Sequence, residues 1–257
     1  MSSILFEVKD SISFITFNRP DKYNAFNREM ALSFQEALDE CKSKDVRCVY
    51  LTGMGKAFSA GQDLEEVVDP SGPRIDTIVG EHYNPIIYRI RQLQKPVVAA
   101  VNGVAAGAGA NIALACDIVV AAKSASFIQA FSKIGLIPDS GGTFFLPRLV
   151  GWQRASALMM LGDKISADDA ERMGMIYKVF DDAIFNDEAQ KIAITLATMP
   201  TRGLALTKQL LDNSLENTYE DQLHDEEIFQ QRAGRTADYK EGVQAFLEKR
   251  KPIFKGE

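Results

Sequence analysis

Pro96-Val97-Val98-Ala99-Ala100-Val101-Asn102-Gly103-Val104-Ala105-Ala106-Gly107-Ala108-Gly109-Ala110 is an apolar run passing into a loop of glycine and alanine. The run reads as a buried strand, and the residues from Asn111 to about Ala115 read as the helix that follows. Small residues in such a loop have two uses. They let a helix pack tightly, or they bare backbone amides toward an anion or a developing negative charge. The glycines match neither GxxxxGK[ST] nor a complete GxGxxG, so no nucleotide fingerprint is present.

Working outward from this strand toward the N-terminus, residues 3–18 alternate around Asp10-Ser11 and predict a hairpin. Residues 18–26 form a polar loop. Asn27 reads as the cap of a helix to about Ser43, and Cys48–Gly53 as a buried strand, giving a β-β-α-β order. The small residues around Gly61, in Lys56-Ala57-Phe58-Ser59-Ala60-Gly61-Gln62-Asp63-Leu64, allow close approach to the backbone, and Asp63 can open a helix. Two prolines, two glycines and several charges predict a mobile excursion over residues 67–80, before a helix from His82 to Gln94. Toward the C-terminus, Asp117–Ala122 and Ala125–Ile128 read as strands. Leu146 and Trp152 lie in helix starts, Ser166 caps a helix ending at Gly174, and Met175–Phe180 reads as a strand. Only helices are expected beyond Ile184. The shift near Pro200 divides a mixed core, residues 1–199, from a helical segment, residues 200–257.

At 257 residues the chain can bury a substantial interior. Its formal charge of −6 opposes a nucleic-acid surface. Cys41, Cys48 and Cys116 are scattered and form no CxxC, which fits a reducing compartment better than a disulfide or zinc framework. The N-terminus lacks the pattern of a signal peptide, and no apolar run reaches the roughly 20 residues of a membrane span. The expectation is a cytoplasmic, soluble protein with no metal site, since His82 and His224 stand far apart with no ligand-like neighbours.

One carboxylate stands out. In Gly135-Leu136-Ile137-Pro138-Asp139-Ser140-Gly141-Gly142-Thr143, an apolar run carries Asp139 to a turn fixed by Pro138 and eased by two glycines. Greasy neighbours would raise its pKa toward that of a working base. The structural alternative is a helix N-cap, for which Pro-Asp-Ser-Gly is also a signal. With no G-x-S-x-G elbow and no histidine in a clear role, a hydrolase triad is not supported. A lone carboxylate with two amide-rich loops, Ser59–Asp63 and Gly107–Ala110, suits a thioester, whose carbonyl oxygen two N–H donors could hold.

Phe58–Leu64, Val101-Asn102-Gly103 with the Gly107–Ala110 loop, Cys116-Asp117, Gly135–Thr143 and Gly242–Arg250, in that order, resemble the enoyl-CoA hydratase/isomerase (crotonase) superfamily over essentially the whole chain. The resemblance implies an α/β fold: a crotonase-like spiral of repeated ββα units with a C-terminal helical trimerisation segment. It implies a homotrimer or dimer of trimers acting on an acyl-CoA thioester, with no cofactor beyond the CoA of the substrate. Gln62 and Ala108 are expected to give the oxyanion-hole amides. Lys22, Ala25, Phe26, Ala57, Ser59, Ala60, Asp63 and Leu64 are the family-like CoA contacts, with Phe246 and Lys249 reaching CoA from a neighbouring subunit. Tyr83, Ile86, Phe131, Ile137, Phe144 and Trp152 are the expected acyl-pocket walls, with Ile87 beside them.

Hydratases of this family carry two glutamates where this chain has Asn111 and Phe131, so hydration is disfavoured. Asp139 occupies the position of the working aspartate in isomerases and a dehalogenase. Residues 130–148 and 230–239 look most like the branch that isomerises ring 1,2-epoxyphenylacetyl-CoA. The competing readings are a hydratase-like or dehalogenase-like member and a non-catalytic CoA- or RNA-binding scaffold.

Overall fold

The computed structural model describes residues 2–257. β1 (Ile4–Lys9) and β2 (Ile12–Phe17) form the expected hairpin, turning through Asp10 and Ser11 at φ +50° and +60°. α1 (Arg28–Glu40) is capped by Asn27, whose side chain accepts from Met30 N, and it buries Met30, Ala31, Phe34, Ala37 and Leu38. β3 (Cys48–Gly53), β4 (Ala57–Ser59), α2 (Leu64–Val68) and α3 (Ile75–Thr77) follow. A π-helical turn, Ile78–Tyr83, leads into α4 (Asn84–Gln92). Next come β5 (Val97–Val101), β6 (Val104–Ala106), α5 (Ala108–Leu114), β7 (Ile118–Ala122) and β8 (Ser126–Ile128). α6 (Gly142–Val150), α7 (Trp152–Leu161), β9 (Lys164–Ser166), α8 (Ala167–Arg172) and β10 (Lys178–Phe180) complete the mixed part. α9 (Phe185–Thr198), α10 (Thr201–Asn213), α11 (Tyr219–Ala233) and α12 (Ala237–Leu247) end the chain without another strand among the described residues.

The strands fall into two sheets, ordered β1-β2-β3-β5-β7-β10 and β4-β6-β8-β9. Each turn of the chain gives one long strand to the first sheet, a short one to the second, then helix: β3-β4 before α2–α4, β5-β6 before α5, β7-β8 before α6. That is a repeating rhythm of ββα units, and it makes the fold a spiral. All pairings from β2 to β10 in the first sheet are parallel. Such strands are covered on both faces, which is why Val97–Val101 is buried throughout.

The passage between the sheets depends on glycine. A Cβ on Gly53 would lie 2.2 Å from Ala57 O, and one on Gly103 2.1 Å from Lys56 O. Asn102 secures the crossing by accepting from Gly53 N at 3.1 Å and donating to Gly55 O at 3.0 Å. Beneath it lies an aromatic cluster, with the Phe17 ring 5.0 Å from Phe26, 5.0 Å from Phe34 and 5.2 Å from Phe58.

Several expectations are corrected. β4, β6 and β9 are strands that the sequence pattern did not signal. Each has three residues, too few for alternation to register, and each is defined by its neighbours. The helix expected from Asn111 begins at Ala108, and the helix expected near Leu146 begins at Gly142 with Pro147 inside it. The strand expected over Met175–Phe180 is confined to Lys178–Phe180. The excursion at 67–80 contains helical turns rather than an unstructured loop.

Candidate active site

The loop that follows β4 and the one that follows β6 meet. Gly61 has φ +87°, and a Cβ there would lie 2.8 Å from Ala106 O and 3.3 Å from Ala108 N, so glycine is required on both counts. Phe26 N donates to Gly61 O at 2.7 Å and Asp63 N to Phe26 O at 2.8 Å, which straps the early loop to residues 61–63 and leaves the Gln62 amide between them. Gly107 at φ +52°, ψ −127° then turns the chain so that α5 begins with Ala108. Ala108, as the first residue of a helix, has no intrahelical acceptor for its N–H. Among the described residues neither the Gln62 nor the Ala108 amide has a hydrogen-bond acceptor. Two main-chain donors thus stand on adjoining loops.

Asp139 lies on a turn tied to α5, its main-chain carbonyl accepting from Asn111 Nδ2. Its carbonyl accepts from Gly142 N at 2.9 Å, and the two residues between, Ser140 and Gly141, have φ +52° and +72°. The Asp139 carboxyl does not cap α6; Gly141 holds that place without a side-chain bond, which removes the N-cap alternative. Instead Oδ1 of Asp139 accepts from the buried Ser140 hydroxyl at 2.9 Å. Burial lifts the carboxyl from its ordinary 3.8 to about 6, against the hydrogen bond from Ser140, which lowers it. No charged neighbour contributes to that rise.

The Tyr83 phenol is tied to the first loop and feels the Asp139 charge. It is fully buried, its hydroxyl donates to Gln62 Oε1 at 3.0 Å, and it is held well above its ordinary 10 by burial first and then by the nearby Asp139 carboxylate. Gln62 Nε2 donates in turn to Glu66 Oε2 at 2.9 Å. Phe131 is buried with its ring facing Gly107, 3.8 Å from where a Cβ would stand. Asn111 is wholly buried one turn beyond Ala108, and its Nδ2 donates to Asp139 O at 2.9 Å while its Oδ1 accepts from Gln129 Nε2 at 2.8 Å.

The residues named as CoA contacts separate into two groups. Lys22, half-buried and 2.7 Å from Glu65, with Ala60 and Leu64 at the surface, form an accessible rim. Ala57, Ser59 and Phe26 are corrected: all are buried beneath that rim and present no side chain to a ligand. Ser59 is internal because its hydroxyl donates to Asn24 O at 2.8 Å and accepts from Gly61 N at 3.2 Å, and so shapes the loop. Phe26 belongs to the aromatic core. Ala25 and Asp63 are buried as well, and Asp63 is committed to capping α2 and to Arg19 at 2.8 Å.

Of the expected acyl walls, Tyr83, Ile86 and Phe131 are buried and Phe144 is half-buried under the Arg148 guanidinium, 3.8 Å from the ring centre. Ile137 and Trp152 are corrected as enclosing walls, being 82% and 75% exposed in the chain. Phe246 is 83% exposed and lines a groove between α10, α11 and α12, with Lys249 exposed just beyond. His82 is buried with Nε2 3.2 Å from the Arg28 guanidinium.

Three residues with defined roles here escaped the sequence reading. Ser140 was adjacent to Asp139 and could have been found. Asn24, buried with its amide donating to Ala57 O at 2.7 Å, and Gln129 carry no local signal. Among the described residues no helix is long and apolar enough to cross a membrane.

Comparison with known proteins identifies the family. Residues 7–257 match the family model described as enoyl-CoA hydratase/isomerase. A 1,2-epoxyphenylacetyl-CoA isomerase of Escherichia coli (strain K12) is 50% identical, with 100% of this chain and 99% of the relative covered. A protein of Rhodobacter capsulatus named as a probable enoyl-CoA hydratase is 43% identical over 99% of this chain and 98% of its own. A crystal structure from Mycobacterium abscessus, titled as an enoyl-CoA hydratase/isomerase, superposes with TM-score 0.93 at 37% identity, covering 99% of this chain and 100% of that one.

Proposed function

Because the chain belongs to the enoyl-CoA hydratase/isomerase family, we propose that it is an acyl-CoA isomerase in which Asp139 is the sole proton carrier. The observation that carries this reading is the Asp139 carboxyl, raised to about 6 by burial with no second charged group acting on it. Its turn is tied through Asn111 to the helix that opens with Ala108, one of the two main-chain donors without acceptors. A hydratase-like pair of acids has no counterpart at the expected places: Phe131 is apolar, and both ends of the Asn111 amide are already bonded.

The thioester carbonyl would lie between the Gln62 and Ala108 amides, which stabilise the negative charge that develops on its oxygen. Each such donor is typically worth about 10²–10³ in rate. The ionised Asp139 takes a proton from one carbon, the electron pair passes into the enolate, and the same proton returns two carbons away. A 3-enoyl ester thereby becomes the conjugated 2-enoyl ester, with no net change in protons or electrons. With 1,2-epoxyphenylacetyl-CoA, the reaction in the name of the Escherichia coli relative, the same polarisation would promote opening of the fused ring to the seven-membered oxepin. The balance requires no metal or redox cofactor; CoA enters as part of the substrate. Lys22, Ala60 and Leu64 would meet its nucleotide end. A homotrimer or dimer of trimers is part of the proposal, as is the division into a core, residues 1–199, and an assembly segment, residues 200–257.

The test is direct assay of purified protein with 3-enoyl-CoA, with 2-enoyl-CoA, and with 1,2-epoxyphenylacetyl-CoA generated in situ, each followed by mass spectrometry. Isomerisation is expected, with slow hydration, and Asp139→Asn should lower isomerisation by at least 10³-fold while the protein stays folded. Efficient hydration that persists in Asp139→Asn would overturn the assignment.

A further inference from the structure

Asn111 and Gln129 are both buried, at 0% and 3% exposure, yet their side chains bond to each other and to one main-chain atom, the carbonyl of Asp139. The directions of these bonds are forced. A carbonyl can only accept, so Asn111 presents Nδ2 to it, and its Oδ1 must then accept from Gln129 Nε2. That leaves Gln129 Oε1 buried without a donor. An unpartnered buried acceptor costs stability, so the pair is a poor choice if stability were its only use.

The backbone it holds is itself strained. Ser140 keeps φ +52°, a left-handed conformation that a serine adopts only where its surroundings hold it there. The start of α6 is pressed against the amide, since a Cβ on Gly142 would come within 2.3 Å of Asn111 Nδ2. The same α5 helix carries Ala108 at its first position and Asn111 one turn later. A single short helix thus sets both an oxyanion donor and the carbonyl of the proton carrier.

We propose that the Gln129–Asn111 amide pair is a positioning device that locks the strained Asp139–Gly142 turn to α5, fixing the Asp139 carboxylate in register with the Ala108 amide. This rests on the reading of Asp139 given above. Misplacement of a reacting group by about 1 Å can cost on the order of 10²-fold in rate, so a small rotation of this turn is sufficient to matter.

Two variants test it. Gln129→Met removes the steering donor while exchanging one unpartnered acceptor, Gln129 Oε1, for another, Asn111 Oδ1, so the melting temperature should stay close to that of the parent. Asn111→Leu, with the same branching at Cγ, removes the link altogether. Both should lower kcat for isomerisation at least tenfold with KM changed less than threefold, and both should speed amide hydrogen exchange within residues 138–143. If Asn111→Leu does not fold, Gln129→Met decides alone. A folded Gln129→Met protein with kcat within twofold of the parent, or with unchanged exchange at 138–143, overturns the proposal. Should the parent protein prove not to isomerise acyl-CoA esters, the functional reading fails by itself. The exchange measurement then still judges the clamp: faster exchange confined to 138–143 supports it, and parental exchange overturns it.

Discussion

At Asp139 the useful property and the cost have one origin. Burial lifts the carboxyl from 3.8 to about 6, which makes it a better proton acceptor near neutrality and also makes its ionised form unfavourable in the folded chain. The acid limb of kcat/KM should therefore fall near pH 6, activity rising with pH as the carboxylate forms. Because the folded state holds this proton more tightly than the unfolded one, the stability it gives is full below about pH 4 and is lost as the pH rises through about 6. The difference amounts to at most on the order of 3 kcal/mol. Thermal melts of Asp139→Asn should consequently show a gain over the parent at pH 8 and little or none at pH 4; equal gains at both would contradict the burial of this group. Ser140 separates two further effects. Both Ser140→Ala and Ser140→Gly lose the hydroxyl that lowers the Asp139 pKa, so both should move the acid limb to higher pH. Only glycine relieves the φ of +52°, so Ser140→Gly should be more stable than Ser140→Ala by about 1 kcal/mol in denaturant melts.

At the scale of elements, α5 is held by how closely it can approach β4. A Cβ on Gly109 would lie 2.6 Å from both Ser59 Cβ and Ser59 O, the latter a main-chain atom that cannot rotate away. Gly109→Ala should therefore push the start of α5 off β4, moving the Ala108 amide relative to Gln62. The expected result is a loss of about 1–3 kcal/mol in stability together with a fall in kcat larger than that of KM, read by melts and steady-state kinetics. A variant with parental kcat would mean that the two loops need not keep their spacing. The same contrast explains what the sequence made legible. Long elements with a clear period, such as α1 behind its Asn27 cap and the apolar run of β5, are specified locally, and they were read correctly. The turn at Asp139 is legible as well, announced by its apolar flank and glycines. β4, β6 and β9 are three residues each and exist through pairing across the spiral, so no local pattern marks them. For the same reason Ser59 read as a rim contact although Asn24, 35 positions earlier, draws its hydroxyl inward. Ile137 and Trp152 are apolar in a stretch that reads as a pocket, but apolar character alone does not say which side of a turn or helix faces inward.

On the whole molecule, the helices after residue 200 are fastened to the core by charge as well as by packing. Lys208 on α10, 6% exposed, donates to Asp117 Oδ2 at 2.9 Å and to Ile90 O at 2.7 Å, and Arg91 bridges Asp117 and Asp212. Their outer face is a different matter. Tyr239, Val243, Phe246 and Leu247 on α12 are exposed around a groove of about 740 Å³. An apolar surface of this kind on a single chain is what the proposed trimer or dimer of trimers would cover. Light scattering should give a mass that is a multiple of three times 28.4 kDa. Within one chain Phe246 lines that groove and not the rim formed by Lys22, Ala60 and Leu64, so in the proposed assembly its contact with bound CoA would come from a neighbour. The double variant Phe246→Ala/Lys249→Ala should then raise KM for acyl-CoA severalfold with little change in kcat, since neither residue has a part in the proposed proton transfer. Mixed assemblies make the test strict. Asp139→Asn subunits have no proton carrier but keep Phe246 and Lys249, whereas the double variant keeps Asp139 and lacks the other two. If the CoA contact crosses the subunit boundary, co-refolding the two should create sites that join an intact Asp139 from one chain with Phe246 and Lys249 from the next, and a fraction of the activity should recover the parental KM. If all sites in the mixture retain the raised KM, the contact lies within one chain, and the helical segment serves assembly alone.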